Sequence, residues 1–376
     1  MPDAAPPLDA ADETRLRAIT ERLERAADPT GFVPFDRFME ISLYADGIGY
    51  YQRAATPLGT TGDYYTAAHV DPLFAESLAR RVVELHHGVS SPTRFTIVEL
   101  GPGDGTLAAG LLHSLGPSGI VAEYVLVDRS PARARDAAAR LAAERTGIPV
   151  RSAASLAAVG PTSGVVLVNE LLDAQPARRL RWDGAEWREL GVRTSAGRCT
   201  EVADGPARPV PGPPLPTDVP VGQVVEVSSY AEGLIREVGD HLVDGAAVIL
   251  DFGGDEAELV RAHPEGTLAA VRGHRFSADP CERPGASDLS TFVNFGRVRA
   301  VARSAGLVEL AYRSQAEALG AWGFAELRDR ALRSAPDAET RVRRQLAAKN
   351  LLFGFERFRV LELAPVGGAG RRTAAT

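Results

Sequence analysis

The chain has 376 residues, 45% hydrophobic and 24% charged, enough apolar material for one large domain or two modest ones. A formal net charge of −7 and the lack of a basic face argue against nucleic acid as a partner, and Arg341-Val-Arg-Arg344 reads as a solvated helix face. Two cysteines, Cys199 and Cys281, stand far apart with no Cys-x-x-Cys, which excludes a cysteine-based zinc site and fits a reducing compartment. No His-x-x-x-His or acid triad is spaced for a metal, so none is expected. No stretch of about twenty apolar residues is present to span a membrane. Met1–Ala10 carries acids and prolines but no basic residue, unlike a secretory or transit peptide, so a cytoplasmic location is expected. Lys349 is the single lysine among many arginines, a skew that suggests a GC-rich bacterial genome.

In chain order, helical spacing of Leu16, Ile19 and Leu23 predicts a helix over Asp12–Ala26. A second is expected over Pro34–Tyr44, where Pro34 suits the first turn, and a third begins near Asp71-Pro72. These helices are expected to form an N-terminal layer, with the glycine-rich Asp46–Gly62 loop folding over the mouth of a site. Strands are expected at 95–100, 124–128, near Val150, and at 165–168. Leu180–Leu190 alternates around Asp183-Gly184 and reads as a hairpin whose Trp182 and Trp187 pack across strands. Gly205–Pro220 is proline-rich and reads as a linker. A helix at Tyr230–Val243, a strand at Ala246–Asp251, a long insertion at Gly253–Ser290 and a helix at Phe292–Ala305 follow. Strands near Leu307–Tyr312 and Phe355–Leu363, separated by helices, close the chain.

The most informative stretch is Phe95-Thr-Ile-Val-Glu-Leu-Gly-Pro-Gly-Asp-Gly-Thr106, an apolar strand ending in a glycine turn that opens a helix. Such a turn lets backbone approach a ligand closely and offers it amide donors at a positive helix end. The second strand ends at Asp128, placed to bond ribose hydroxyls, so a nucleoside ligand at a Rossmann-like sheet is expected. Dinucleotide binders use Gly-x-Gly-x-x-Gly, whereas here the glycines fall at 101, 103 and 105 after Glu99, with Thr106 in the dinucleotide third position. Glu-x-Gly-x-Gly-x-Gly resembles the first motif of class I S-adenosylmethionine methyltransferases.

Asn169-Glu-Leu-Leu-Asp-Ala-Gln-Pro176 follows the apolar run Val165–Val168 at a strand end, the edge where open α/β folds bind and react ligands. It resembles the Asn-Glu-Phe-Phe-Asp-Ala-x-Pro signature of the MidA-type methyltransferase family, with Leu171 and Leu172 replacing the phenylalanines. Leu43–Tyr51, Gly62–Thr66, Asp251-Phe-Gly253, Gly266-Thr-Leu268, His274, Pro284-Gly285, Asp288-Leu289 and Phe295 are similar to further family segments. Family positions are altered at Ala68-His69, Ala269, Ser290 and Asn294, where a substrate is expected.

The resemblance implies an α/β fold built on a class I methyltransferase sheet, with S-adenosyl-L-methionine as cofactor. The mitochondrial family members methylate an arginine of a respiratory complex I subunit during assembly. Glu99, Gly101, Gly103, Gly105, Thr106, Asp128, Thr66 and Asn169 are the expected cofactor residues. A guanidinium nucleophile needs a carboxylate to localise its charge, the role expected of Glu170 with Asn169 beside it. Asp173, one helical turn later, shares the substrate side or serves as a cap or salt bridge. His69 is a candidate base for a hydroxyl or amine substrate, or else a capping residue. Tyr65 and His274 complete the expected substrate set.

The expected divisions are an N-terminal helical layer with a covering loop (1–94), a first core half (95–180), a hairpin and proline-rich insertion (181–220), and the fifth-strand region (221–252). An inserted substrate or lid segment (253–290), a C-terminal core half (291–365) and a disordered tail (366–376) follow. Three activities fit: methylation of a protein arginine, methylation of a peptide or small molecule in specialised metabolism, or an assembly factor that keeps the cofactor as a structural ligand. Nothing in the chain dictates an oligomeric state.

Overall fold

The computed structural model describes residues 10–52, 66–90, 94–195, 198–205, 208–272, 275–277 and 279–367. Its central sheet has seven long strands: β1 (Thr96–Leu100), β2 (Glu123–Val127), β3 (Val150–Ala153), β4 (Thr162–Asn169), β5 (Leu242–Gly254), β6 (Leu307–Ser314) and β7 (Phe358–Pro365). Their spatial order is β3-β2-β1-β4-β5-β7-β6. The first five run parallel, and β7 inserts antiparallel between β5 and β6. The two closing strands expected after β5 are present, and the last of them lies between β5 and β6.

Parallel strands covered on both faces read as unbroken apolar runs, yet alternate residues still point to opposite sides. Ile97, Leu126, Val165, Leu167 and Val248 join one core with the helices Leu73–His87, Thr106–Leu115 and Phe324–Arg333. Val98, Leu100, Val125, Val166 and Ile249 join the other with the helices Ser229–His241 and Phe295–Ser304. The expected helix after Asp71-Pro72 therefore packs on the central sheet and not in an N-terminal layer.

The helices Ala10–Ala26 and Phe35–Tyr44 instead cover a second, five-stranded sheet. Its path is Phe32–Pro34, Trp187–Ser195, Arg178–Trp182, Val224–Val227, with Arg198–Gly205 also paired to Trp187–Ser195. The anticipated hairpin is at its centre: Trp182 faces Trp187 in register, ring centroids 5.3 Å apart. Arg198–Gly205 pairs with the strand just before it, whereas Phe32–Pro34 and Val224–Val227 are recruited from distant segments, pairings that no local pattern announces. The proline-rich stretch from Arg208 onward is not a loose linker. Buried Arg178 donates to the Pro209 carbonyl at 2.8 Å, and buried Arg297 donates to those of Pro211 and Pro213 at 3.0 and 2.5 Å.

The insertion after β5 forms a helix, Glu256–Ala262, and a three-stranded sheet of Ala269–Arg272, Arg275–Ser277 and Asp288–Ser290. Val293–Asn294 first pairs with the end of β5, so the following helix starts at Phe295 rather than Phe292. The Asn294 side chain caps it, accepting from the Arg297 amide at 3.1 Å. Tyr65, His274, most of the Asp46–Gly62 loop and the two chain ends lie outside the described residues.

Candidate functional site

A cavity of about 620 Å³ opens at the carboxyl ends of β1, β2 and β4, the edge where such sheets hold ligands. Its floor is the glycine turn. Gly101 and Gly103 line it with φ of 68° and 57°, a left-handed backbone that glycine adopts without strain. A Cβ on Gly101 would come within 2.7 Å of the Leu171 side chain, so the turn is built as a close backbone cradle. Asp128 lines the cavity just beyond β2 and accepts from the Ser130 amide at 2.7 Å. Burial pushes its carboxyl up, opposed by the Ser130 amide and by Arg133 and Arg129. A glycine cradle and one carboxylate at the next strand end fit a nucleoside carrying an amino-acid tail.

The opposite wall is the turn after β4. Glu170 has φ of 50°, a conformation costing a non-glycine residue about 1–3 kcal/mol, held only where surroundings over-determine it. Here they do. Buried Asp251, near the end of β5, accepts through Oδ2 from the amides of Leu171, Leu172 and Asp173 at 3.1, 2.8 and 3.4 Å. The Thr291 amide donates to the Asp173 carbonyl at 2.9 Å, and the Tyr44 hydroxyl to the Ala174 carbonyl at 2.9 Å. Glu170 itself lines the cavity, and its Oε1 accepts from the Ala67 amide at 3.2 Å.

Carboxylates crowd this end. Burial first, then Asp173, lifts the Glu170 carboxyl to about 8. Burial lifts Asp251 to about 7 even though the Leu172 amide opposes it. Asp173 is driven well up by burial and by Asp251 and Asp288. Of these acids only Glu170 lines the cavity, so a cation docked there would favour its ionised form. Two stacked tyrosines flank it: Tyr44 and Tyr51, centroids 5.5 Å apart, both line the cavity. The Tyr51 hydroxyl donates to Asp288 at 2.6 Å. At the rim, the Arg129 guanidinium lies 4.2 Å from the Tyr44 ring centre, and the Tyr230 hydroxyl donates to Glu40 at 2.8 Å.

The anticipated residues divide. Gly101, Gly103, Asp128 and Glu170 line one cavity. Glu99 sits behind the glycine turn, buried, accepting from the Tyr124 hydroxyl at 2.7 Å, and burial raises it to about 7. Gly105 caps the following helix, and the Thr106 amide donates to Asp104, so both shape the turn from outside the cavity wall. Asn169 supports the Glu170 carboxylate, while its own Oδ1 is buried with no partner among the described residues. Asp173 is buried behind the wall.

His69 takes up its capping alternative and is not among the residues lining the cavity. Its Nδ1 accepts from the Thr66 amide at 3.2 Å, which leaves Nε2 to bond Asp104 at 2.9 Å. Thr66 and His69 form a capping box on the short helix Ala67–Val70. The Asp104 carboxyl, despite burial that would raise it, is held at about 2 by His69 and Thr106. The pair ties the segment entering the site to the glycine turn. Sequence reasoning assigned no role to Asp251, Asp288, Tyr44 or Tyr51, although all four lie in segments noted above. The available signal was that Asp251 lies near the end of β5 on the edge where Glu170 follows β4.

Comparison with known proteins identifies the family. Residues 77–312, well over half the chain, match a protein family described as "Putative S-adenosyl-L-methionine-dependent methyltransferase". The protein arginine methyltransferase NDUFAF7 homolog, mitochondrial, of Drosophila melanogaster is 26% identical over 349 residues, covering 82% of this chain and 75% of its own. The Mus musculus protein arginine methyltransferase NDUFAF7 is 26% identical over 324 residues, with 78% and 71% covered. A Burkholderia thailandensis protein crystallised with S-adenosyl-homocysteine superposes with a TM-score of 0.86 at 30% identity, covering 98% of this chain and 97% of its own.

Proposed function

We propose an acceptor for this enzyme, proceeding from the family: the chain belongs to the S-adenosyl-L-methionine-dependent methyltransferases, and we infer that it methylates a guanidinium nitrogen of a protein or peptide arginine. The observation that carries this reading is Glu170, a carboxylate held in a strained backbone conformation at the cavity wall, amid buried acids and beside stacked tyrosines. Support also comes from the relatives named protein arginine methyltransferases.

The cofactor, when bound, supplies a methyl carbon that is already electrophilic, so the chain's task is binding, orientation and exclusion of water. In this reading Gly101 and Gly103 cradle the amino-acid end, and Asp128 accepts the ribose hydroxyls. Glu170 accepts N–H bonds from the guanidinium and localises its delocalised charge on one edge, leaving the nitrogen across from it nucleophilic. Because Glu170 titrates near 8 in the free protein, docking a cation against it displaces a proton to solvent. Tyr44 and Tyr51 line the cavity where the arginine side chain would lie.

Incubation with radiolabelled S-adenosyl-L-methionine and cell lysate tests the proposal. Label in a protein band, found as methylarginine after hydrolysis and absent with Glu170→Gln, is the expected result. Label recovered only in small-molecule extract would overturn the arginine reading while leaving the methyltransferase intact.

A further inference from the structure

We propose that Cys199 and Cys281 form a reversible intramolecular disulfide that fastens the inserted segment to the five-stranded sheet. They are the only cysteines in the chain and lie 281 − 199 = 82 residues apart. Folding nevertheless brings the two Sγ atoms to 3.1 Å, with both thiols free. Cys199 sits on the strand Arg198–Gly205, opposite Thr194 in the sheet register. Cys281 lies in the insertion after β5, in a turn where its amide donates to Asp279 at 2.8 Å. Both belong to the apolar cluster formed with the helices Ala10–Ala26 and Phe35–Tyr44, so the fold positions the pair from two sides. A metal site does not account for it: among the described residues no group of three His, Cys, Asp or Glu could hold an ion.

Exposure sets the order of events. Cys281 is 4% exposed, whereas Cys199 is partly open to solvent. The hydrogen bond with Cys199 and burial push the Cys281 thiol up, so Cys199 meets an oxidant first. The oxidant class is a low-molecular-weight disulfide. The Cys199 thiolate attacks one of its sulfurs, forming a mixed disulfide and releasing one small thiol. The Cys281 thiolate then attacks the Cys199 sulfur, forming the internal bond and releasing the second small thiol. Two protein thiols are oxidised, one small disulfide is reduced, and the two protons end on the released thiols. The bond pins the stretch leading to Asp288, seven residues on, which binds Tyr51 in the cavity wall. In a reducing compartment such a bond is transient, and its formation reports oxidation.

The test treats the full chain with excess oxidised glutathione, followed by acid quenching, intact mass measurement and peptide mapping. The expected product is lighter by two hydrogen atoms, contains one peptide joining Cys199 to Cys281, and reverts with dithiothreitol. Its melting temperature should rise by about 5 °C, from the closed loop, and amide exchange across 279–290 should slow. Cys281→Ser should stop at a stable glutathione adduct on Cys199. The proposal is overturned by a persistent glutathione adduct on the unaltered chain, by disulfide-linked dimers, or by thiols that stay reduced under conditions that modify Cys199 in Cys281→Ser.

Discussion

The two ends of the cavity are built on different physical plans. In the proposed assignment the cofactor end rests on one turn, through Gly101 and Gly103, and on one carboxylate, Asp128. At the acceptor end, side chains arrive from four separate segments: Tyr44 and Tyr51, Glu170, Asp251, and Asp288. The first plan suits a ligand that never changes, since amides and glycine cannot be substituted without altering the turn. The second stores cost in buried acids and a strained residue, which suits an end where charge must be managed. It follows that cofactor affinity and turnover should separate cleanly under mutation.

The largest separation is expected for Glu170→Gln, which keeps shape and an acceptor but removes the charge. Turnover with an arginine substrate should fall by at least about a hundredfold while cofactor affinity holds within about twofold, as read by steady-state kinetics beside calorimetric titration. In the unaltered enzyme kcat/KM should climb with pH and level off above about 8, because Glu170 is ionised only on the alkaline side. Glu170→Gln should erase that limb. A limb that survives belongs to another group and would break the assignment.

Asp128→Ala should do the reverse. Loss of a carboxylate accepting ribose hydroxyls is worth about 1.5–3 kcal/mol, or roughly ten- to a hundredfold in cofactor dissociation constant, with saturated turnover little changed. An unchanged constant would move the ribose contact elsewhere.

Asp251→Asn probes the support behind the acceptor wall. Three amides would face a neutral oxygen in place of a carboxylate, loosening the turn that strains Glu170. Turnover is expected to drop by about tenfold, with a melting temperature lower by a few degrees and intact cofactor binding. A loss of cofactor binding as large as that of turnover would show that the two ends are coupled.

The smallest effect is expected for His69→Ala. Removing the Thr66 capping box and the Asp104 pair should cost about 1 kcal/mol of stability and change turnover by less than about fivefold. A loss of a hundredfold or more would restore His69 as a base and favour a hydroxyl or amine acceptor.

Much of the central sheet was legible because its information is local. The apolar runs at 95–100, 124–127 and 165–168, each followed by a turn, are short-range signals of buried strands. The glycine spacing and Asp128 are likewise short-range, and the Asn169–Pro176 motif drew attention to Glu170 before any contact was known. The five-stranded sheet was legible only at its Trp182–Trp187 hairpin. Strands such as Phe32–Pro34 and Val224–Val227 exist by pairing across long separations. The role of Asp251 depends on β5 lying beside β4, that of Asp288 on where the insertion folds back, and that of His69 on Asp104 being within reach. Residue type and spacing therefore determined the strands of the sheet, the glycine turn and the acid proposed at the centre of the site. Only tertiary structure decided which carboxylates and tyrosines surround that acid and that the two cysteines meet, because hydrogen bonding, desolvation and charge coupling act over a few ångströms of space and are blind to distance along the chain.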